Sequence, residues 1–481
     1  MAACGRNFTV VVTEPGHVWT WGRGRAGQLG LNAREHQLLP ARAAGREVLS
    51  ARMVMVAVGC EHSAGVTAEG TLLTWGSGAG GQLGHGDLEN RLTPTPLGKE
   101  LFGGRPAVMV ACGSYHTLVL TAGGLWTCGA GQYGVLGHGD IADKLVLTLV
   151  VAEGFEGNVQ LAMVAAGFLH SVAVGSKGDI WTWGIGVALG HNDFQNRHVP
   201  TLLVGAARGN AVMVAAGGAH TVAVTGNGEL WAWGNNRNGQ LGTTGFDRVK
   251  LVPARVGAED VFGGSPVRTA ACGEKHTLIV TKEGSLWSFG EGGYGALGHN
   301  NITDQRVPAR LEAQHFGDVK IVSVAGGAYH SAAVTENGGL YTWGKATRQD
   351  ASPTGLGHDD MRTKLVPTYV ASHLLQGARV GRCHRLPLLH ALAFAMGTHV
   401  RLGNAAPTNA LAGGSRRSRR HEGKGPAAAA DTSTGCAYVM LPGELVQRVL
   451  EACASWPEGQ AGEMEGIVGL LGGMMKDKLS H

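Results

Sequence analysis

The sequence predicts an all-β chain: a seven-bladed β-propeller closed by a partial eighth repeat, with a short C-terminal helical tail. Three observations carry that expectation. One phrase recurs about eight times, a Trp-Gly phrase keeps step with it, and the apolar pattern between them is strand-like.

The first phrase reads Gly59-Cys60-Glu61-His62-Ser63, then Gly113-Ser114-Tyr115-His116-Thr117, then Gly167-Phe168-Leu169-His170-Ser171. It returns at Gly217, Gly273 and Gly327, and in degraded form at Gly381-Arg382-Cys383-His384. Near the start, Gly5-Arg6-Asn7-Phe8-Thr9 carries Phe8 in place of the histidine. The anchors 8, 62, 116, 170, 220, 276, 330 and 384 are separated by 54, 54, 54, 50, 56, 54 and 54 residues. A period of that length over most of a chain signals a repeat array.

The second phrase begins at Trp21, Trp75, Cys128, Trp183, Trp233, Phe289 and Trp343, each followed by glycine. A Leu-Gly closes most units eight residues later, and a proline follows at Pro40, Pro94, Pro200, Pro253, Pro308 and Pro367. Seven nearly complete units result. Within a unit, His220 to Thr225 and Glu229 to Trp233 flank Gly226-Asn227-Gly228, a hairpin signal expected to place positive φ at its central residues. Inside the repeat units no stretch of three turns has apolar residues at helical spacing. The 79 glycines sit at turns and strand ends, where a Cβ is unwelcome. Short strands in seven units without helices point to radial repetition.

Closure is expected from the C-terminal side. The strand that precedes Gly5 in other copies is expected to be missing, and residues 379–403, with the run His390 to Met396, are expected to pair beside the first unit. Domain boundaries follow: 1–403 propeller, 404–440 an Ala/Gly/Arg-rich flexible linker, 441–481 a short helical tail. The linker holds Arg416, Arg417, Arg419 and Arg420, a basic cluster that reads as a nuclear localisation signal or a nucleic-acid contact, weighed against a solvated linker, which is favoured over either. Leu445, Val446, Val449, Leu450, Cys453 and Trp456 follow Pro442 at helical spacing, predicting one amphipathic helix over 442–455.

These phrases resemble the regulator-of-chromosome-condensation repeat family, whose members form seven-bladed propellers, and the match covers about residues 3–403. The resemblance implies the fold and leaves function open among an exchange factor for the small GTPase Ran, ubiquitin-ligase propellers of the HERC type, and a plant UV-B photoreceptor. The photoreceptor uses tryptophans inside the histidine phrase; here those dipeptides contain none. Exchange is associated in the family with an inserted wedge. Only the unit-seven interval is lengthened, thirteen residues from Gly344 to Gly357, and it is polar and short. The 78 residues after Gly403 are too few for the catalytic domain of a HERC-type ligase, which leaves a fragment or a free-standing adaptor.

No catalytic residue set is expected: there is no serine–histidine–acid set, no paired catalytic carboxylates, and no glycine string opening a helix. The histidine series His62, His116, His170, His220, His276 and His330, and a second at His85, His138, His191, His299 and His358, invite a metal reading. Sevenfold symmetry at a radius of about 10 Å separates equivalents by about 9 Å, too far to share a zinc. A repeated hydrogen bond inside each blade is expected instead, and no metal or cofactor. Ten of the eleven tryptophans lie in or beside the Trp-Gly strands, which suits packing between blades. Cys4, Cys112 and Cys272 are expected to fill small buried slots. No Cys-x-x-Cys, signal-like N-terminus or membrane-length run appears, favouring a cytoplasmic or nuclear setting without membrane attachment.

Asp87, Asp140, Asp193, Asp359 and Asp360 follow the second histidine series. They are the candidate partner-binding loops, weighed against simple turn capping. A net charge of +4 with 16% charged residues gives no strong field for nucleic acid. The expectation is a monomeric, non-enzymatic propeller binding a protein partner as adaptor or scaffold, in ubiquitin-ligase or small-GTPase pathways. The alternative is a guanine nucleotide exchange factor for a Ran-like GTPase.

Overall fold

The computed structural model describes residues 1–381, apart from short segments at 46–47, 49, 152–154, 156–158, 206–209, 258–260, 347–352, 354 and 376–378. Seven four-stranded antiparallel sheets follow one another along the chain, each built in the order first, second, third, fourth strand. In blade one these are Ala2–Cys4, Phe8–Val12, Val18–Gly22 and Gln37–Arg42; in blade two, Met53–Val58, His62–Thr67, Leu72–Gly76 and Arg91–Leu97. The first strands adjoin one another around the ring, so they line the axis and the fourth strands form the rim. Pro40, Pro94, Pro200, Pro253, Pro308 and Pro367 all fall in those outer strands. Proline has no N–H to give a ladder, and the rim is where none is required.

The second strands are buried on both faces, with Val10, Val119, Val172, Val222 and Leu278 at 0% exposure. This explains their continuous rather than alternating apolar runs. The Trp-Gly tryptophan of each blade sits in a cluster with its predecessor: Trp75 with Phe8 and Val10, Trp233 with Val172 and Ile180, Trp343 with Leu278 and Val280. Trp21 packs with Ala332, Val334 and Leu340 of blade seven, so the same contact closes the circle.

The glycine of each Trp-Gly register, including Gly129 after Cys128 and Gly290 after Phe289, has φ between +99° and +116°. A Cβ on Gly76 would come 2.6 Å from the Glu61 carbonyl oxygen and 2.8 Å from His62 Cα. Only glycine permits that crossing of the second and third strands. The hairpin at 225–229 differs in detail from the expectation. Gly228 alone has positive φ, +84°, and its N–H donates to the Thr225 carbonyl at 2.8 Å. The connection is a turn with a glycine bulge, because three residues rather than two separate the paired strands.

Two further expectations are corrected. A strand does precede Gly5: Ala2–Cys4 pairs with Thr9–Val11, half the length of its six-residue equivalents. The first histidine series, expected to bond within its own blade, bonds across to the next one. His62 Nε2 lies 3.0 Å from Thr117 Oγ1, His116 3.0 Å from Ser171 Oγ, His170 2.9 Å from Thr221 Oγ1, His220 3.1 Å from Thr277 Oγ1, and His276 2.9 Å from Ser331 Oγ. His330 completes the series on Thr9 at 2.9 Å.

The expected C-terminal segment reaches blade one as far as it is described. Thr13 bridges Val380, the Glu14 N–H donates to Arg379 O at 2.9 Å, and the Gly381 N–H donates to Val12 O at 3.0 Å. The run His390 to Met396, the linker and its arginine cluster, and the helix at 442–455 lie outside the described residues. The chain divides into units Met1–Gly397 and Thr398–His481.

Candidate interaction face

In an antiparallel blade, the connection from first to second strand and that from third to fourth emerge at the same end. The histidine phrases and the long loops after Trp-Gly therefore share one face of the ring. The histidine phrases surround the axis, and the aspartate-bearing turns lie toward the rim.

The repeated polar groups of this face are consumed by structure. Ser63, Thr117, Ser171, Thr221, Thr277, Ser331 and Thr9 each donate a hydroxyl proton to a loop carbonyl of the preceding blade, at 2.7–3.0 Å. That leaves each hydroxyl oxygen only lone pairs for the facing histidine. Nε2 must therefore carry a proton and donate it to the hydroxyl oxygen. Burial disfavours a second proton on Nδ1 and keeps the rings neutral: His62, His170 and His276 are lowered to about 4, and His116, His220 and His330 to about 3. Trp75 Nε1 donates to the same Gln28 carbonyl as Ser63, at 2.9 Å, and Trp343 to the same Ala296 carbonyl as Ser331, at 2.8 Å. A Cβ on Gly59 would lie 2.4 Å from His62 Cε1, so the phrase requires glycine where the ring lies flat.

The second series bonds within its blade, as expected. His85, His138, His191, His299 and His358 each place Nε2 2.8–3.0 Å from the hydroxyl of Thr74, Thr127, Thr182, Ser288 or Thr342. Both series are thus hydrogen-bonding devices of the scaffold.

The two residues between glycine and histidine form the mouth of the axis. Cys60 donates its thiol to Ser114 Oγ at 3.3 Å. Burial pushes the Cys60 thiol up. It also raises the Glu274 carboxyl, against the opposing pull of Lys275 and Arg6. Arg23 pairs with Glu61 at 2.9 Å, Lys275 with Glu291 at 3.4 Å, and Lys345 Nζ stands 4.2 Å above the Tyr294 ring, which meets Tyr329 edge-on. Cys4, Cys112 and Cys272 end the first strands of blades one, three and six and are partly buried. Burial pushes their thiols up to about 12, which removes them as nucleophiles at neutral pH.

Four of the five candidate aspartates are turned onto their own loops. Asp87 Oδ1 accepts the Glu89 N–H at 3.0 Å while Oδ2 pairs with Arg91 at 2.6 Å. Asp140 with Lys144, Asp193 with Arg197 and Asp360 with Lys364 repeat the arrangement at 3.1, 2.6 and 2.8 Å. Hydrogen bonding and the basic neighbour hold these carboxyls below the usual range. Asp359 is exposed beside them.

Between those charges lies a feature that sequence reasoning missed. Three residues past the second-series position stand Leu88, Ile141, Phe194, Phe246, Ile302 and Met361, exposed by 54, 61, 63, 86, 61 and 54%. Blade one has Arg34 there. The signal was present in the sequence: an apolar residue stands alone in a polar turn, at one register position in six units.

The comparisons agree with this architecture. Residues 1–256 match the RCC1-like domain model, and 283–334 match the regulator of chromosome condensation (RCC1) repeat. The chain is 35% identical over 344 residues to the ultraviolet-B receptor UVR8 of Arabidopsis thaliana, covering 71% of this chain and 64% of that one. It is 33% identical to the human E3 ubiquitin-protein ligase HERC2, over 78% of this chain but 8% of the ligase. It is 32% identical to the mitochondrial RCC1 domain-containing protein RUG3 of Arabidopsis thaliana, covering 68% of this chain and 77% of that one. The human WBSCR16 crystal structure superposes with a TM-score of 0.66 at 26% identity, over 74% of this chain and 94% of that one. Yeast RCC1 (Prp20) bound to Kap60 gives 0.66 at 22% identity, a likeness of fold, over 81% and 93% of the two chains. Matching motifs, register and blade count together place this chain in the RCC1 repeat family.

Proposed function

We propose that this propeller is a non-enzymatic binding platform, an adaptor or scaffold whose loop-bearing face engages another protein. The pathways inferred are those of ubiquitin ligation or small GTPases. The observation that carries the reading is the rim of six exposed apolar tips at equivalent positions on one face. Large side chains cost free energy when held in water, and patches of them mark contact surfaces. The same face shows its repeated histidines and hydroxyls already bonded to one another, which favours binding over chemistry. Cys4, Cys60, Cys112, Cys128 and Cys272 are all free thiols, in keeping with a reducing cytosolic or nuclear setting.

Two measurements test it. Proximity labelling with the full chain, compared with a Leu88→Ser/Ile141→Ser/Ile302→Ser variant, should recover protein partners that the variant loses while its melting is unchanged. A nucleotide-release assay on a panel of Ran-like GTPases should show no acceleration; faster release would replace this reading with the exchange-factor alternative.

A further inference from the structure

The rim is not uniform. At blade five, where it borders blade six, the apolar tip coincides with a local excess of positive charge. Phe194 and Phe246 are neighbouring tips, and the Asn192 N–H donates to Leu251 O at 2.7 Å, joining the blade-four turn to the outer strand of blade five. Val252 and Val307 stand exposed on the outer strands at 46 and 47%. With 150–250 Å² per aromatic side chain, the two phenylalanines together leave about 300 Å² of ring in water.

The loop that carries Phe246 also carries Arg237, Arg248 and Lys250, and Arg306 reaches it from the outer strand of blade six, against the carboxylates of Asp247 and Asp304. Lys250 pairs with Asp247 at 2.6 Å. Asp304 accepts the Gly292 N–H at 2.9 Å and the Asn238 amide at 3.1 Å. Arg306 lies 5.8 Å above the Phe246 ring and donates to the Arg237 carbonyl at 2.9 Å. The Arg248 carbonyl accepts the Asn236 N–H at 2.8 Å. One guanidinium, that of Arg306, thus lies over the phenyl ring, and neither it nor the exposed Arg237 and Arg248 of the neighbouring blade-five loop has an ion-pair partner among the described residues. Elsewhere the rim is neutralised, since Asp87, Asp140, Asp193 and Asp360 each take a basic partner four residues on.

We propose that the blade-five to blade-six rim, centred on Phe246 and Arg306, docks an acidic peptide segment of a partner protein, one carrying an aliphatic or aromatic side chain between carboxylates. The proposal rests on the binding-platform reading and deepens it. Guanidinium forks match carboxylates in charge and in two-point geometry, and the phenyl ring with its valine neighbours receives the apolar residue. A nucleic acid fits less well: it needs a continuous basic track, and on either side the basic side chains Arg197 and Lys364 are already taken up by Asp193 and Asp360.

The test is selection from a random-peptide phage library on the full chain, followed by fluorescence polarisation of the enriched peptides. Enriched sequences should carry several carboxylates around an apolar residue. Phe246→Ala should weaken them at least about tenfold, as expected for a central anchor, and Arg248→Glu with Arg306→Glu should abolish binding. Melting of the variants should match the parent, since all three side chains are exposed. No enrichment, enrichment without acidic bias, affinity indifferent to Phe246, or displacement by oligouridylate would each overturn the proposal. Peptides that bind but ignore Phe246 would leave the platform reading standing; an empty selection together with empty proximity labelling would remove both.

Discussion

His330 and Thr9 lie 321 residues apart in the chain, and the histidine Nε2 stands 2.9 Å from the threonine hydroxyl. Thr9 passes its own proton to the Gly355 carbonyl at 2.8 Å. The bond that closes the ring is therefore the same bond that joins blades two to three and onward. Thr9→Val keeps the shape but leaves a buried N–H and a carbonyl without this partner. A loss of about 1–3 kcal/mol in urea unfolding is expected; an unchanged midpoint would show that the bond contributes nothing to closure.

Only the interface from blade one to blade two lacks that device, because Phe8 stands in the histidine position, fully buried. Ser63 still donates to the Gln28 carbonyl at 2.9 Å, and the Arg23–Glu61 pair spans the same interface. Phe8→Ala should cost about 3–5 kcal/mol from the cavity it leaves. Phe8→His should cost far less, since its Nε2–H meets Ser63 as the other six histidines meet their hydroxyls. Equal losses for the two, measured by denaturant titration, would rule out that rescue.

Six buried histidines tie stability to pH. Their folded values, about 3 to 4, lie below an unfolded value near 6.5. The unfolded chain therefore binds more protons in that interval, and stability falls as pH drops through it. Their contribution is complete above about pH 6.5, and each histidine removes up to about 1.4 kcal/mol per pH unit below it. Calorimetry between pH 7 and 5 should show a steep decline in melting temperature and uptake of several protons on unfolding. A flat profile would mean that the rings are protonated or exposed.

Trp343 tests packing against bonding. Phe289 already fills the equivalent place in blade six, where no indole N–H exists. Trp343→Phe should lose about 1 kcal/mol with the bond to Ala296, because Ser331 still satisfies that carbonyl at 2.7 Å. Trp343→Ala should lose about 3–5 kcal/mol. If the two variants melt together, the indole is held by its bond and not by the core.

The candidate aspartates carry a titration prediction. Asp87 should titrate below its ordinary value because Arg91 and the Glu89 N–H both favour its charged form. Arg91→Ala should move it upward in a carbon-detected NMR titration; no movement would show that the pair does not persist in solution.

The number of blades, the strand assignments and the glycine positions were legible in the chain, because each unit repeats the same local chemistry. Glycine after tryptophan announces a positive φ, and proline marks the outer strand, where no N–H is required. What the histidines touch was not legible. A bond from His62 to Thr117 depends on where the next blade falls, so identical spacing serves an intra-blade and an inter-blade partner equally well. The short strand Ala2–Cys4 escaped notice for a related reason: three residues carry too little pattern, and its stability comes from neighbours on either side. The tips at Leu88, Phe194 and Phe246 were visible as letters only. Repetition along the chain specifies each module, whereas the curvature of the ring decides which modules touch and which side chains remain in water.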